Sequence, residues 1–293
     1  MTRTTHRECR TAILEYEPPL DVGWLIEFFG RRVVAGVEEV VDGFYRRSVR
    51  LAHGTGVVEV GERYGRVEAR LELDDVRDED EAVVLGRGLF DLDLDPGPVV
   101  VALSDDPLIG ELVRASPGRR VPGVVDPDEL AIRAVLGQQV SVAGAATLAG
   151  RLVRDCGEAL ARPVGAVTHL FPTAAAIAEL DPERLAMPAS RRRAVLGLAA
   201  ALGAGEVVLD PHGDHAAIRA ALLALPGIGP WTVEYIAMRA LRDPDAFMAT
   251  DLGVRHGLTR LGVDGSPRAA LALGERWRPY RAYALQHVWS VLG

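Results

Sequence analysis

An α+β fold is predicted, a mixed antiparallel unit followed by a helical region, and three observations predict it. Apolar and polar residues alternate in FYRRSVRLA (44–52), GVVEV (56–60) and RVEARLEL (66–73), with Gly-containing turns between them, as in antiparallel strands. Beyond the run DLDLDPGPVVVALSDDP the pattern becomes almost wholly helical. That run marks a boundary near residue 98, which gives units of 1–98 and 99–293.

In chain order, TAILEYEPP reads as a strand and DVGWLIEFFGRRVV as an amphipathic helix. The three alternating strands follow, and DEDEAVVLGRGLFDL closes the unit as a helix. Asp126-Pro127 opens the helix ELAIRAVLGQQ, with Pro in the first turn. Ser141 caps VAGAATLAGRLVRDC, and Thr173 caps AAAIAEL. Ser190 starts RRRAVLGLAAAL, and HAAIRAALLAL runs into a turn, LPGIG. SPRAALALGERW and PYRAYALQHVWSVL end the chain.

With 48% hydrophobic and 25% charged residues the composition is that of an ordinary globular protein. No run of 18 uncharged apolar residues suggests a membrane span. The segment MTRTTHRECRTAILEYEPP lacks the apolar stretch of a signal peptide. Cys9 and Cys156 are the only cysteines, too few for a disulfide framework or a cysteine-ligated cluster, so a reduced, intracellular setting is expected. The net charge of −8 is uneven. Residues 1–98 hold 13 Arg against 21 acidic residues, and residues 99–293 hold 20 of each, leaving room for a local basic face. All 33 basic residues are Arg, so the chain has no lysine.

LPGIGPWTVEYI (225–236) is the most informative stretch. Gly227 and Gly229 lack a Cβ and let the turn lie against a bulky partner. Pro230 suits the first helical turn. The amides of Gly227, Gly229 and Thr232 then face outward at a helix N-terminus, an anion site that matches a phosphate oxygen. The carbonyls of Leu223, Leu225 and Gly227, pointing the other way, are candidate ligands for a monovalent cation bridging to the same phosphate. Taken alone, the stretch also reads as an ordinary αα-hairpin with a glycine cap.

With FMATD (247–251) downstream, LPGIGPWTVEYIAMRAL resembles the helix–hairpin–helix and Gly/Pro–Asp signature of the base-excision DNA glycosylases, in particular the 3-methyladenine DNA glycosylase II (AlkA) type. PPLDVGWLIEFF, RRVPGVVD, IRAVLGQQVSVAGAA, FPTAAAIA and ERWRPYRAYALQHVW resemble family segments in the expected order, so the resemblance covers nearly the whole chain. It implies an N-terminal antiparallel α/β domain and two helical domains, 127–243 with the hairpin and 99–126 plus 244–293, with the cleft between the helical pair.

The same resemblance separates two chemistries. Bifunctional members place a lysine at the position of Trp231 and form a Schiff base, which needs an amine nucleophile that this chain lacks. Iron–sulfur members need four closely spaced cysteines, also lacking. What remains is hydrolysis without a required cofactor, with Asp251 as the implied catalytic carboxylate beside an oxocarbenium-like sugar. N-alkylated purines are already cationic leaving groups and stack on electron-rich rings. Trp231, Tyr235 and Trp289 match the family's pocket aromatics, and the first two share one helix face. Asp251 also reads as an N-cap. A target base must leave the duplex, and Gln139 in LGQQVS stands where the family carries its wedge. It replaces an apolar residue there, which weakens the expected plug.

The implied function is excision of alkylated bases such as 3-methyladenine from double-stranded DNA by a monomer in the bacterial cytoplasm, with no membrane partner. Two alternatives stay open: a non-catalytic DNA-binding or damage-sensing module, and a glycosylase for deaminated or oxidised bases. Of the remaining groups, His212 and His215 read as a solvated helix start, and His256 and His287 as packing or hydrogen-bonding residues. Arg191-Arg192-Arg193 reads first as a solvated face and second as a phosphate contact. Glu234 reads as exposed.

Overall fold

The computed structural model describes residues 9–293; residues 1–8, part of the segment read above for a signal peptide, lie outside it. β1 (Arg10–Ile13) precedes α1 (Val22–Gly30), and β2 (Glu38–Val41), β3 (Phe44–Arg50), β4 (Thr55–Arg63) and β5 (Arg66–Leu73) follow. The strands form an antiparallel sheet in the order β1-β5-β4-β3-β2. α2 (Glu79–Leu89) and α1 cover one face, burying Leu25, Phe29, Tyr45, Val58, Val60, Leu71 and Phe90.

The other face is covered by an element the sequence reading missed. β6 (Ala159–Val164) and β7 (Val167–His169) form a small hairpin within the region read as helical. Its Leu160, Val167 and Leu170 pack on Val57 of β4, and the Ser48 hydroxyl donates to the His169 carbonyl at 2.7 Å. This second cover explains why β4 is buried on both faces. β2 was missed too, because AGVEEVVDG offers only four paired residues. The run at the 98 boundary is itself helical: Asp95 caps α3 (Pro96–Ser104) by accepting from the Gly97 amide, with Pro96 at the first position.

The helical region continues with α4 (Gly110–Ala115), α5 (Pro127–Leu136), α6 (Val142–Cys156), α7 (Ala174–Ala178), α8 (Ala189–Gly203), α9 (His215–Leu223), α10 (Pro230–Arg239), α11 (Leu252–Arg260), α12 (Pro267–Gly274) and α13 (Arg281–Ser290). The side chains of Asp126, Ser141, Thr173 and Ser266 cap α5, α6, α7 and α12. Ser190 does not start α8. The N-cap is Pro188, whose extended backbone leads directly into Ala189, so Ser190 already lies in the first turn.

The sheet is locked to α5 by a buried cluster of charges. Arg47 on β3 bonds Glu129 on α5 at 2.6 Å and Glu38 on β2 at 3.2 Å, while Arg133 on α5 reaches both carboxylates at 2.7 Å. The Tyr45 hydroxyl and the Val34 amide donate to Glu38. Two positive and two negative groups leave no uncompensated buried charge, so removing any one member is expected to cost far more than the cluster contributes net. Because α5 packs on both α8 and α10, this lock fixes the hairpin relative to the sheet.

Candidate active site

The site begins at the turn between α9 and α10. Gly227 has φ +85°, and a Cβ there would stand 2.7 Å from the Ala194 Cβ on α8. Conformation and packing both demand glycine. Gly229 is different: its φ is −101° and an added Cβ would meet nothing within 4 Å. Among the described residues, the amides of Gly227, Gly229 and Thr232 have no intramolecular acceptor, and no side chain caps α10. Three donors are therefore free at the start of a helix.

The carbonyls of the same turn are partly engaged. Leu225 O accepts from the Ile228 amide at 3.1 Å, and Gly227 O accepts from Gln138 Nε2 at 3.1 Å. Gln138 Nε2 also donates to the Thr232 hydroxyl at 3.0 Å. The sequence reading passed over Gln138 for its neighbour, yet Gln138 ties the end of α5 to the hairpin. Gln139 itself is exposed and sits at φ +55°, a conformation few residues other than glycine adopt.

These features separate stability from contact. Gly227→Ala is expected to destabilise the fold by about 1–3 kcal/mol through overpacking and strain. Gly229→Ala is expected to shift stability by less than about 0.5 kcal/mol while weakening binding of any anionic partner at the turn, because the added methyl sits on the open amide face. Thermal melts paired with a binding titration check both, and unchanged binding by Gly229→Ala would remove that face from the interface.

α10 then presents its side chains. Trp231 and Tyr235 stack with ring centroids 5.4 Å apart and an interplanar angle of 6°. Arg239 Nη1 donates to the Tyr235 hydroxyl at 3.0 Å, and Arg239 is anchored by the carbonyls of Pro122 and Gly123, both at 2.7 Å. Burial opposes ionisation of the Tyr235 phenol, but the guanidinium groups of Arg239 and Arg32 outweigh it and lower the hydroxyl below its ordinary value.

Asp251 caps α11, its Oδ1 accepting from the Val254 amide at 2.8 Å. Oδ1 also accepts from Trp289 Nε1 and Oδ2 from Trp231 Nε1, each at 2.9 Å. The carboxylate is thus held between two indoles from α10 and α13. Two glycines let α13 approach α11. A Cβ at Gly253 would lie 3.0 Å from both Asp251 Oδ1 and the Trp289 ring, and one at Gly257 would lie 2.5 Å from the Val288 carbonyl. Their i,i+4 spacing was the available signal for this close packing. At its other end, α13 is tied by Arg281, which bonds Asp245 at 2.7 Å.

Other sequence candidates fall elsewhere. Glu234 is half-buried, not exposed: it pairs with Arg219 at 2.8 Å and accepts from the Phe247 amide, which makes it a fastener of the segment before Asp251. His215 Nε2 lies 2.9 Å from the Pro211 carbonyl, and no cluster of three His, Cys, Asp or Glu side chains suited to a metal occurs among the described residues. His287 is buried, and burial lowers it to about 3, so it is a neutral packing residue. His256 is exposed instead of packed. No helix among the described residues is long and apolar enough to cross a membrane.

Residues 11–126 match the family described as the AlkA N-terminal domain, and residues 132–279 match the HhH-GPD superfamily of base excision DNA repair proteins. A Mycobacterium tuberculosis protein named "Probable bifunctional transcriptional activator/DNA repair enzyme AlkA" is 48% identical over 259 residues, covering 88% of this chain and 52% of that protein. The chain thus spans about half the length of that relative. DNA-3-methyladenine glycosylase 2 of Escherichia coli is 35% identical over 285 residues, covering 96% and 97% of the two chains. The solved structure of a 3-methyladenine DNA glycosylase from Archaeoglobus fulgidus superimposes with a TM-score of 0.81 at 21% identity, covering 96% and 97%, a likeness of fold.

Proposed function

Since the chain belongs to the HhH-GPD superfamily of base excision DNA repair proteins, we propose that it is a monofunctional DNA glycosylase. In this reading it flips alkylated bases such as 3-methyladenine out of duplex DNA and hydrolyses their glycosidic bonds, leaving abasic sites. The observation that carries the reading is the clamped carboxylate. Asp251 is fixed by three N–H donors and stands beside an aromatic pair, one helix away from a turn with free amides.

Each part has a task. The amides of Gly227, Gly229 and Thr232 bind a backbone phosphate. Gln139, exposed at the end of α5, enters the space left by the flipped nucleotide. Trp231, Tyr235 and Trp289 present ring faces to a cationic purine. As the glycosidic bond lengthens, Asp251 faces the developing positive charge on the sugar and orients the water that attacks it. A purine that already carries its charge leaves without a general acid. With no lysine in the chain, the Schiff-base route has no side-chain nucleophile.

The carbonyls of Leu223, Leu225 and Gly227 suit a monovalent cation, since each neutral oxygen has two lone pairs and those of Leu225 and Gly227 use one within the fold. Such an ion would add positive charge beside the phosphate. We place the protein in the cytoplasm with the DNA it repairs, acting as a monomer and with no redox cofactor. The test is chromatographic measurement of bases released from dimethyl-sulfate-treated duplex. Release of 3-methyladenine is the expected result. Binding of that DNA with no release would sink the enzyme reading in favour of a damage sensor.

A further inference from the structure

The three consecutive arginines at the start of α8 are not equivalent. Arg192 is engaged, donating to Glu183 at 2.9 Å and to the Pro182 carbonyl. Arg191 and Arg193 have no ion pair or hydrogen-bond partner among the described residues, and Arg193 is exposed. Most arginines of the chain instead hold a carboxylate or a carbonyl.

Their position gives the freedom meaning. Ala194, next in sequence, is the residue against which Gly227 of the hairpin turn packs. Arg191 precedes Ala194 by three residues and so lies on the same side of α8, one turn nearer its start. Gln138 binds the hairpin turn from the end of α5. The second turn of α8, the α5–α6 turn and the hairpin therefore meet. The nearest acidic side chains in sequence are already engaged: Glu183 pairs with Arg192, and Asp181 accepts from the Glu183 amide.

We propose that Arg191 and Arg193, which flank Ala194 on opposite sides of α8, form a second phosphate-binding patch beside the hairpin, each holding one further phosphate of the DNA backbone near the one the hairpin amides take. This rests on the reading of duplex DNA as the partner, and assigns to α8 a part of the interface that carries no base specificity. Guanidinium groups with no internal partner need no rearrangement to make such contacts, and each phosphate neutralised releases counterions.

The experiment is a salt titration of binding to an undamaged duplex by wild type, the double variant Arg191→Gln/Arg193→Gln, and Arg66→Gln. Arg66 is exposed at the start of β5 and serves as the control for net charge. In the double variant, the slope of log K against log salt is expected to fall in magnitude by about 1.8, or 0.9 per lost contact. Arg66→Gln should leave the slope unchanged. A double-variant slope equal to wild type overturns the patch, as does an equal fall in Arg66→Gln, which would trace the effect to the overall field. Base release is read separately on methylated duplex. A wild type that binds but releases nothing defeats the glycosylase reading and leaves the patch to be decided by the slopes.

Discussion

Asp251→Asn is expected to lower the single-turnover rate of 3-methyladenine release by about 100- to 1000-fold, the scale of losing one preorganised charge at a developing ion. The substitution removes the negative charge and also disturbs the clamp. The carboxylate accepts two indole N–H groups on different oxygens and a backbone amide on Oδ1. An amide side chain has only one oxygen, so its NH2 group must face either Trp231 Nε1 or Trp289 Nε1, donor against donor. The helix cap survives if the oxygen keeps the Val254 amide, which predicts a melting temperature within a few degrees of wild type. Duplex binding, which is proposed to rest on the turn and the arginines, should persist. A variant that binds normally yet releases base at the wild-type rate would remove Asp251 from the chemistry.

The second large effect concerns the indoles. Trp231→Phe keeps a ring to stack on Tyr235 but deletes the N–H that holds Oδ2, and Trp289→Phe does the same for Oδ1. A hydrogen bond to a charged group is worth about 1.5–3 kcal/mol, so each single variant is expected to lower kcat by about 10- to 150-fold. The double variant should lose less than the product of the two, because a carboxylate freed on one side has little orientation left to lose. If Trp231→Phe raised KM and left kcat untouched, the bond from the indole to Oδ2 would have no part in the chemistry, leaving Trp231 only its place in the base pocket.

The readable parts of the fold were those with local causes. Strand alternation in residues 44–73 and the capping residues Asp126, Ser141, Thr173 and Ser266 act within a few positions, so their signals survive in sequence. The parts that were not readable are contacts between distant residues. The β6–β7 hairpin exists because Val57, about 100 residues earlier, needs a cover. Glu234 looks solvent-facing on its helix, and only Arg219 and the Phe247 amide make it a fastener.

The same division runs through the candidate site. Sequence by itself determined its chemical inventory: a turn that glycines allow, a carboxylate at a helix start, three aromatic residues, and no lysine to act as nucleophile. Tertiary structure decided how these groups are used. It alone brings Trp289 across 38 residues and Trp231 across 20 onto the two oxygens of Asp251, and Gln138 across 94 onto Thr232. The physical reason is that residue type fixes what a group can donate, accept or stack on, whereas direction and distance are set by packing, here by glycines 227, 253 and 257 letting α8 meet the hairpin and α13 meet α11.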